Sequence, residues 1–459
     1  MNGVNVNNNE FLGKDPLGRL LFRLALPTIT AQIINLLYNV VDRVYIGHMD
    51  EIGELALTGV GVCMPLIMII SAFAALISSG GAPRASIFMG QGDYESAERT
   101  MGACFTLQCI ISAVLTAVML VFHRPMLLAF GASENTIGYA TEYMSIYSIG
   151  TIFVQLTLGM NAYITAQGYA KMSMLTVVIG AIANIILDPI FIFLFDMGVS
   201  GAALATIISQ AISCAWVIFF LHSKNSILRL KKSSIRLDLK LVLPCIALGL
   251  APFIMQASES VISICFNSSL YNYGGDIAVG AMTVLTSVMQ FAMLPLQGLA
   301  SGAQPIISYN YGAKNKERVK GIFRILLTSS LVYSLTLWAL IMIFPRAFAA
   351  IFTSNVAYLD YTESALRIYC AVIGIFGIQV ACQMTFVSLG KALSSMAVAI
   401  MRKFVLLLPL IYIVPLFFEG EMRTTGVYLA EPIADTLAVT FTAVLFAIQF
   451  KKALREIEN

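Results

Sequence analysis

The sequence predicts an all-α integral membrane protein of twelve transmembrane helices, set in two six-helix lobes related by a parallel internal repeat. Three observations predict it. Apolar residues make up 58% of the 459-residue chain and charged residues 12%, about half of the roughly 25% usual in soluble domains. Apolar runs of about 20 residues, enough to cross a ~30 Å hydrocarbon core as a helix, recur along the whole chain. The second half repeats the first in register.

The runs lie near 17–46, 55–79, 101–122, 139–160, 172–195 and 199–221, then near 241–266, 277–300, 321–344, 363–388, 393–418 and 426–450. In lipid each backbone polar group needs an internal partner, so these runs read as helices. The alternating segments of an outer-membrane barrel are not seen. Residues 1–225 form an N-lobe, 226–240 a basic cytoplasmic linker and 241–459 a C-lobe.

Charge sets the orientation. With both termini in the cytoplasm, 23 of the 28 Lys and Arg residues fall on that side, Arg402 and Lys403 among them. Only Arg43, Arg124, Arg346, Arg367 and Arg423 fall on the other, as the positive-inside rule requires. The Lys224–Lys240 cluster reads as a topology signal between the lobes.

The repeat has a constant offset of 222, pairing Pro83 with Pro305, Ser86 with Ser308, Gly90 with Gly312, Gly168 with Gly390 and Ser173 with Ser395. Near the last span it drifts to 225, where Gly201, Leu204 and Ala205 match Gly426, Leu429 and Ala430. Six spans per copy is an even number, so the copies run parallel, about an axis along the membrane normal.

Polar residues at membrane depth are costly, so their spacing tells where they point. In the first span Thr28, Gln32, Asn35, Asn39 and Asp42 follow each other by four and three, on one helical face. Pro27 precedes them and removes a backbone hydrogen bond, which predicts a bend. The seventh span repeats the device with Pro244, Gln256, Glu259 and Ser263. Gln290 and Gln297 share a face of the eighth span with Thr283 and Ser287, and Gln379 and Gln383 share one in the tenth. Together they outline a polar cavity between the lobes. In the fifth span Asn184 and Asp188 are an i, i+4 pair before Pro189, which frees the carbonyl of Ile185. A carboxylate, an amide and a loosened backbone suit a proton or a cation. Asp42 has an alternative partner in Arg43, and Asp188 an alternative role in helix packing with Asn184. Glu431 and Asp435, also i, i+4, read equally well as structural.

Several classes are excluded. No basic run alternates with aromatics, so no nucleic-acid partner is expected. The eight cysteines form no C-x-x-C pair and read as small buried hydrophobes. The Asn-rich N-terminus does not read as a removable signal peptide. His48, His123 and His222 fall at span ends or in loops, with no H-E-x-x-H or G-x-S-x-G, so the chain does not read as an enzyme.

Twelve spans in two repeats, with acids on the first and seventh, resemble the multidrug and toxic compound extrusion (MATE) family. The pieces that carry the resemblance are LALPTITAQIINLLYNVVDRVYIG (24–47), GGAPRASIFMGQGDYESAER (80–99), SGAQPIISYNYGAKNKERV (301–319), MNAYITAQG (160–168), NIILDP (184–189) and GVYLAEPIAD (426–435). The last is similar to the MepA-type branch. The resemblance implies a monomeric antiporter in a prokaryotic cytoplasmic (inner) membrane, in contact with lipid. It would export hydrophobic, mostly cationic small molecules by alternating access, with inward H⁺ or Na⁺ as coupling ion and no other cofactor. Carried across, the family's cation site falls on Asp42, Tyr143, Asn161, Asn184, Asp188 and Thr206, with Asp42 and Asp188 as candidate Na⁺ ligands. A second, C-lobe site would use Glu259 with Gln256, Gln379 and Gln383, although the acid that some members carry on the tenth span is missing. The rival reading within the superfamily is a lipid-linked precursor flippase or polysaccharide exporter. It would need a cationic cavity, whereas the intramembrane charges identified in the sequence are acidic.

Overall fold

The computed structural model describes residues 10–49, 52–351 and 356–457. Its spans are α1 (Leu17–Gly47), α2 (Gly53–Gly90), α3 (Tyr94–Ala129), α4 (Ile137–Ile149 with Thr151–Ala166), α5 (Ala170–Leu194) and α6 (Gly198–His222). A 74-residue helical stretch, Leu239–Gly312, follows. Straight, it would run about 110 Å, far beyond a bilayer. It turns at Gly275, where φ is +63° and ψ −157°, giving α7 (239–274) and α8 (276–312). The set ends with α9 (Lys316–Ile343), α10 (Tyr358–Tyr369 with Ile373–Ser388), α11 (Ala392–Phe417) and α12 (Met422–Glu456). Twelve spans and no strand are present among the described residues.

Side-chain caps start three of them. Asp93 accepts from the Ser96 amide at 3.0 Å, Asp238 from Lys240 at 3.0 Å and Asn315 from Arg318 at 3.2 Å, each satisfying an orphan helix N–H. Two spans predicted as single runs are broken. α4 bends by 57° at Gly150 and α10 by 42° before Ile373. A Cβ on Gly150 would lie 2.5 Å from Ile207, so only glycine lets α6 pack against the bend.

The repeat holds at atomic level. Ser86 Oγ donates to the Ala166 carbonyl at 2.9 Å, and its mate Ser308 to Ser388 at 2.8 Å. Asn161 Nδ2 reaches the Ser173 carbonyl at 3.3 Å, and Gln383 reaches Ser395 at 3.2 Å. Gly168 and Gly390 both turn at positive φ, +86° and +71°.

The lobes meet at the end carrying residues 10–16, the basic linker and residues 451–457. One apolar cluster there joins Leu20 and Leu24 to Ile306, Val319 and Leu454, and another joins Ile77 and Met101 to Cys245. Backbones touch where glycines allow it. A Cβ at Gly90 would collide with the Tyr309 carbonyl, at Gly312 with Ile87, at Gly80 with Cys245 and at Gly249 with Leu76. The remaining large clusters lie within single lobes, one among residues 46–203 and one among 262–434. The lobes therefore separate away from the basic end. Linker residues are strapped to the N-lobe: Gln167 Oε1 accepts from Ser226 Oγ and the amides of Ile227 and Leu228, and Glu98 pairs with Lys231.

Candidate functional site

Apolar packing positions α1 between the lobes. Leu20, Leu24 and Ala25 bury against α8 and α9, and Thr28 Oγ1 lies 2.6 Å from the Gly298 carbonyl of α8. Farther along, the polar face turns to α5. The helix is continuous through Pro27. Asn39 Nδ2 donates to the Asn35 carbonyl of its own helix at 2.6 Å.

The Asp42 and Asp188 carboxyls lie close enough for each to feel the other's charge. Asn184 Nδ2 donates to Asp188 Oδ1 at 3.1 Å, as the i, i+4 spacing predicts. Tyr38, one turn before Asp42, lines one cavity with Gln210 and Thr206, and Tyr143 is buried. Asp188 is 0% and Asn184 1% exposed. Buried oxygens on Asp42, Asp188, Asn184 and Gln210 have no hydrogen-bond partner. A buried acceptor left unpaired is costly, and four together suit a shared proton or a hard cation. No cluster of His, Cys, Asp and Glu suited to a metal is present among the described residues.

Beside the carboxyls lies a cavity of about 100 Å³, lined by Asn35, Tyr38, Asn161, Asn184, Thr206 and Gln210 among others. It has room for a few waters, not for a drug-sized ligand, which needs roughly 300–1,000 Å³. It lies inside the N-lobe. Asn161 lines it too, tied to Ser173 and to Thr176 at 2.9 Å, and makes no hydrogen bond to either carboxyl. Of the stripe residues only Asn35 lines it; Gln32, Asn39, Gln290 and Gln297 do not. Tyr38 and Gln210 escaped the sequence reading, although Tyr38 stands one turn from Asp42 on the same face.

The C-lobe differs from expectation. Arg402 and Lys403, assigned by charge counting to the cytoplasmic side, lie deep in α11, 6% and 4% exposed. Arg402 Nε meets Asp435 at 2.7 Å, its Nη2 meets Glu431 at 3.1 Å, and Lys403 Nζ meets Glu259 at 2.6 Å. The guanidinium stacks over Phe376, 4.7 Å from the ring centroid. The interior is therefore not purely acidic, and Glu259 is engaged by a lysine. Gln383 bonds Ser395 Oγ at 2.8 Å, and neither it nor Gln379 is bonded to Glu259. In the repeat Arg402 stands where the N-lobe has Gly180, Glu431 where it has Thr206 and Asp435 where it has Gln210. All three N-lobe positions line the cavity. The C-lobe counterpart is filled by ion pairs. The apolar run 393–418 already contained both cations, and no loop could hold them.

Comparison with known proteins matches this architecture. The chain is 22% identical over 428 residues to the multidrug export protein MepA of Staphylococcus saprophyticus, covering 93% of each. It is 24% identical over 337 residues to MepA of Staphylococcus haemolyticus, covering 73% of this chain and 74% of that one. A solved structure described as MATE in the bent conformation superposes with a TM-score of 0.91 at 22% identity, covering 99% of each chain. The MatE family model matches residues 27–190 and 252–413, one segment in each lobe. This chain belongs to the MatE family and has the fold of the MATE transporters.

Proposed function

We propose that the protein is a multidrug exporter working by antiport, moving hydrophobic, mostly cationic compounds outward in exchange for H⁺ or Na⁺. The neighbouring carboxyls of Asp42 and Asp188, with unpaired oxygens of Asn184 and Gln210 around them, carry the reading. The basic end is the cytoplasmic side by the positive-inside rule, so the lobes part toward the outside. An ion entering from there reaches two carboxyls whose joint burial is costly without it. α1 links that event to the lobes, because its first half packs on α8 and its second on α5. Loading the pair draws the outer half of α1 inward about Pro27 and narrows the cleft that holds the drug. One charge returning inward contributes roughly 2.3 kcal/mol per 100 mV, enough for a gradient of about fifty-fold. The MepA relatives, by name multidrug exporters, support the substrate class. The flippase or polysaccharide reading needs free cationic groups, whereas Arg402 and Lys403 are held by Glu431, Asp435 and Glu259. In cells expressing equal amounts of protein, Asp188→Asn should lose ethidium efflux. Unchanged efflux by that variant would remove the carboxyl pair from the mechanism.

A further inference from the structure

We infer that Lys403 is a tethered counter-ion that pins α7 to α11, its ammonium standing in the C-lobe where the N-lobe takes up an exchanged ion. Removing the lysine turns Glu259 into a binding site for a small primary ammonium ion. The comparison with the exchanged ion rests on the antiport reading above; the ammonium site does not. The repeat supplies the correspondence. Glu259 of α7 stands 217 residues after Asp42 of α1, as Pro244 does after Pro27. Lys403 of α11 stands 222 residues after Ala181 of α5, the offset shared by most of the lobe. In the N-lobe the fifth helix carries Asn184 and Asp188, and oxygens of Asp42 and Asp188 have no hydrogen-bond partner. In the C-lobe those two positions are Leu406 and Leu410, and the acid of the first helix is met by a lysine instead.

The pairing is built into the winding of α11. Met401–Leu407 forms a π-helical turn, whereas the matching part of α5 is regular α-helix. Such local widenings recur at functional sites. Here two adjacent residues serve different helices. Arg402 takes Glu431 and Asp435 of α12, and Lys403 reaches Glu259 of α7 at 2.6 Å. The lysine side chain is 4% exposed and the glutamate 53%, so the ammonium sits behind a carboxylate that solvent reaches. Glu259 lies ten residues beyond Gly249, whose backbone touches α2 at the closed end. That sets it about 15 Å farther from the basic end, on the half where the lobes part. A half-exposed carboxylate at this depth faces the cleft, not lipid. Because the cation is covalently part of α11, it is not released at any stage of transport. α7 therefore moves with α11, and α1 is left as the helix that an exchanged ion can draw in.

Truncating Lys403 to alanine removes the outer methylenes and the ammonium, which together are the atoms of n-propylammonium. The full-length Lys403→Ala protein in detergent should melt below the unsubstituted one. Added n-propylammonium should raise its Tm by about 2 °C for each tenfold rise in concentration above Kd. Tetraethylammonium, which has no N–H to donate, should not. Neither salt should stabilise the unsubstituted protein or the double variant Lys403→Ala/Glu259→Gln. If Lys403→Ala does not fold alone, the same comparison is read from the yield of monodisperse protein purified in either salt. No preference for n-propylammonium, or equal stabilisation of the double variant, overturns the site. The tethered-ion claim is read in liposomes with Ala181→Lys, which sets an ammonium at the matching place in the N-lobe. Ala181 lines the cavity there with Tyr38 and Asn184. Gradient-driven ethidium flux should fall about tenfold below that of Ala181→Met, which is similar in bulk and uncharged. Equal flux in the two variants overturns that claim. If the unsubstituted protein moves no ethidium, the transport reading fails and the comparison with an exchanged ion falls with it, while the Tm series still decides the ammonium site.

Discussion

Asp188 and Asp435 show how differently one residue type can be treated in the two lobes. The Asp188 carboxyl has one amide donor and an unpaired oxygen, so its charge lacks a cationic partner in the structure. Asp435 is bound by a guanidinium at 2.7 Å, so its charge is already answered. Asp188→Asn should leave the purified protein as stable as before or more stable by about 1 kcal/mol, since it removes a crowded acceptor. Thermal unfolding in detergent measures this, and a large loss of stability would mean a structural role. Arg402→Met should cost about 3–5 kcal/mol by stranding two buried carboxylates. Adding Glu431→Gln and Asp435→Asn should recover most of that loss in the same assay. Lys403→Met should cost less, because its partner Glu259 is half exposed. The sequence located Asp42, Asn184 and Asp188 through helical spacing. It misplaced Arg402 and Lys403 because charge counting treats a cation as a loop marker, and their partners lie on other helices.

At the scale of elements, apolar runs announced the twelve spans, but their breaks were not legible. Gly150 is one glycine among 33, and only its contact with Ile207, distant in sequence, makes it a bend. α2 and α3 extend well past the predicted 55–79 and 101–122, to 38 and 36 residues, because their basic-end turns are capped and packed rather than lipid-limited. The glycines where the lobes touch make a further prediction. Gly249→Val would place side-chain atoms against the Leu76 carbonyl. It should destabilise the closed basic end by about 1–3 kcal/mol, the usual cost of overpacking. Maleimide labelling of Cys245 should then quicken, and an unchanged rate would show that this contact does not hold the end shut. Gly275→Ala should cost about 1–3 kcal/mol, because only glycine takes its positive φ without strain.

Across the whole molecule, the repeat was the most legible feature, and it reaches to individual hydrogen bonds such as Ser86–Ala166 and Ser308–Ser388. The departure from it was not legible. Matching positions hold a small polar-lined cavity in one lobe and a filled ion cluster in the other, a contrast that depends on which faces meet. That asymmetry makes the N-lobe the ion site of the proposed exchange, with α1 as the part shared with the C-lobe. The most direct test is ethidium flux in proteoliposomes under an imposed proton gradient and then an imposed sodium gradient. The account predicts that one gradient drives flux and that Asp42→Asn and Asp188→Asn each abolish it. Flux driven equally well in either variant, or by neither gradient in folded wild-type protein, would contradict it.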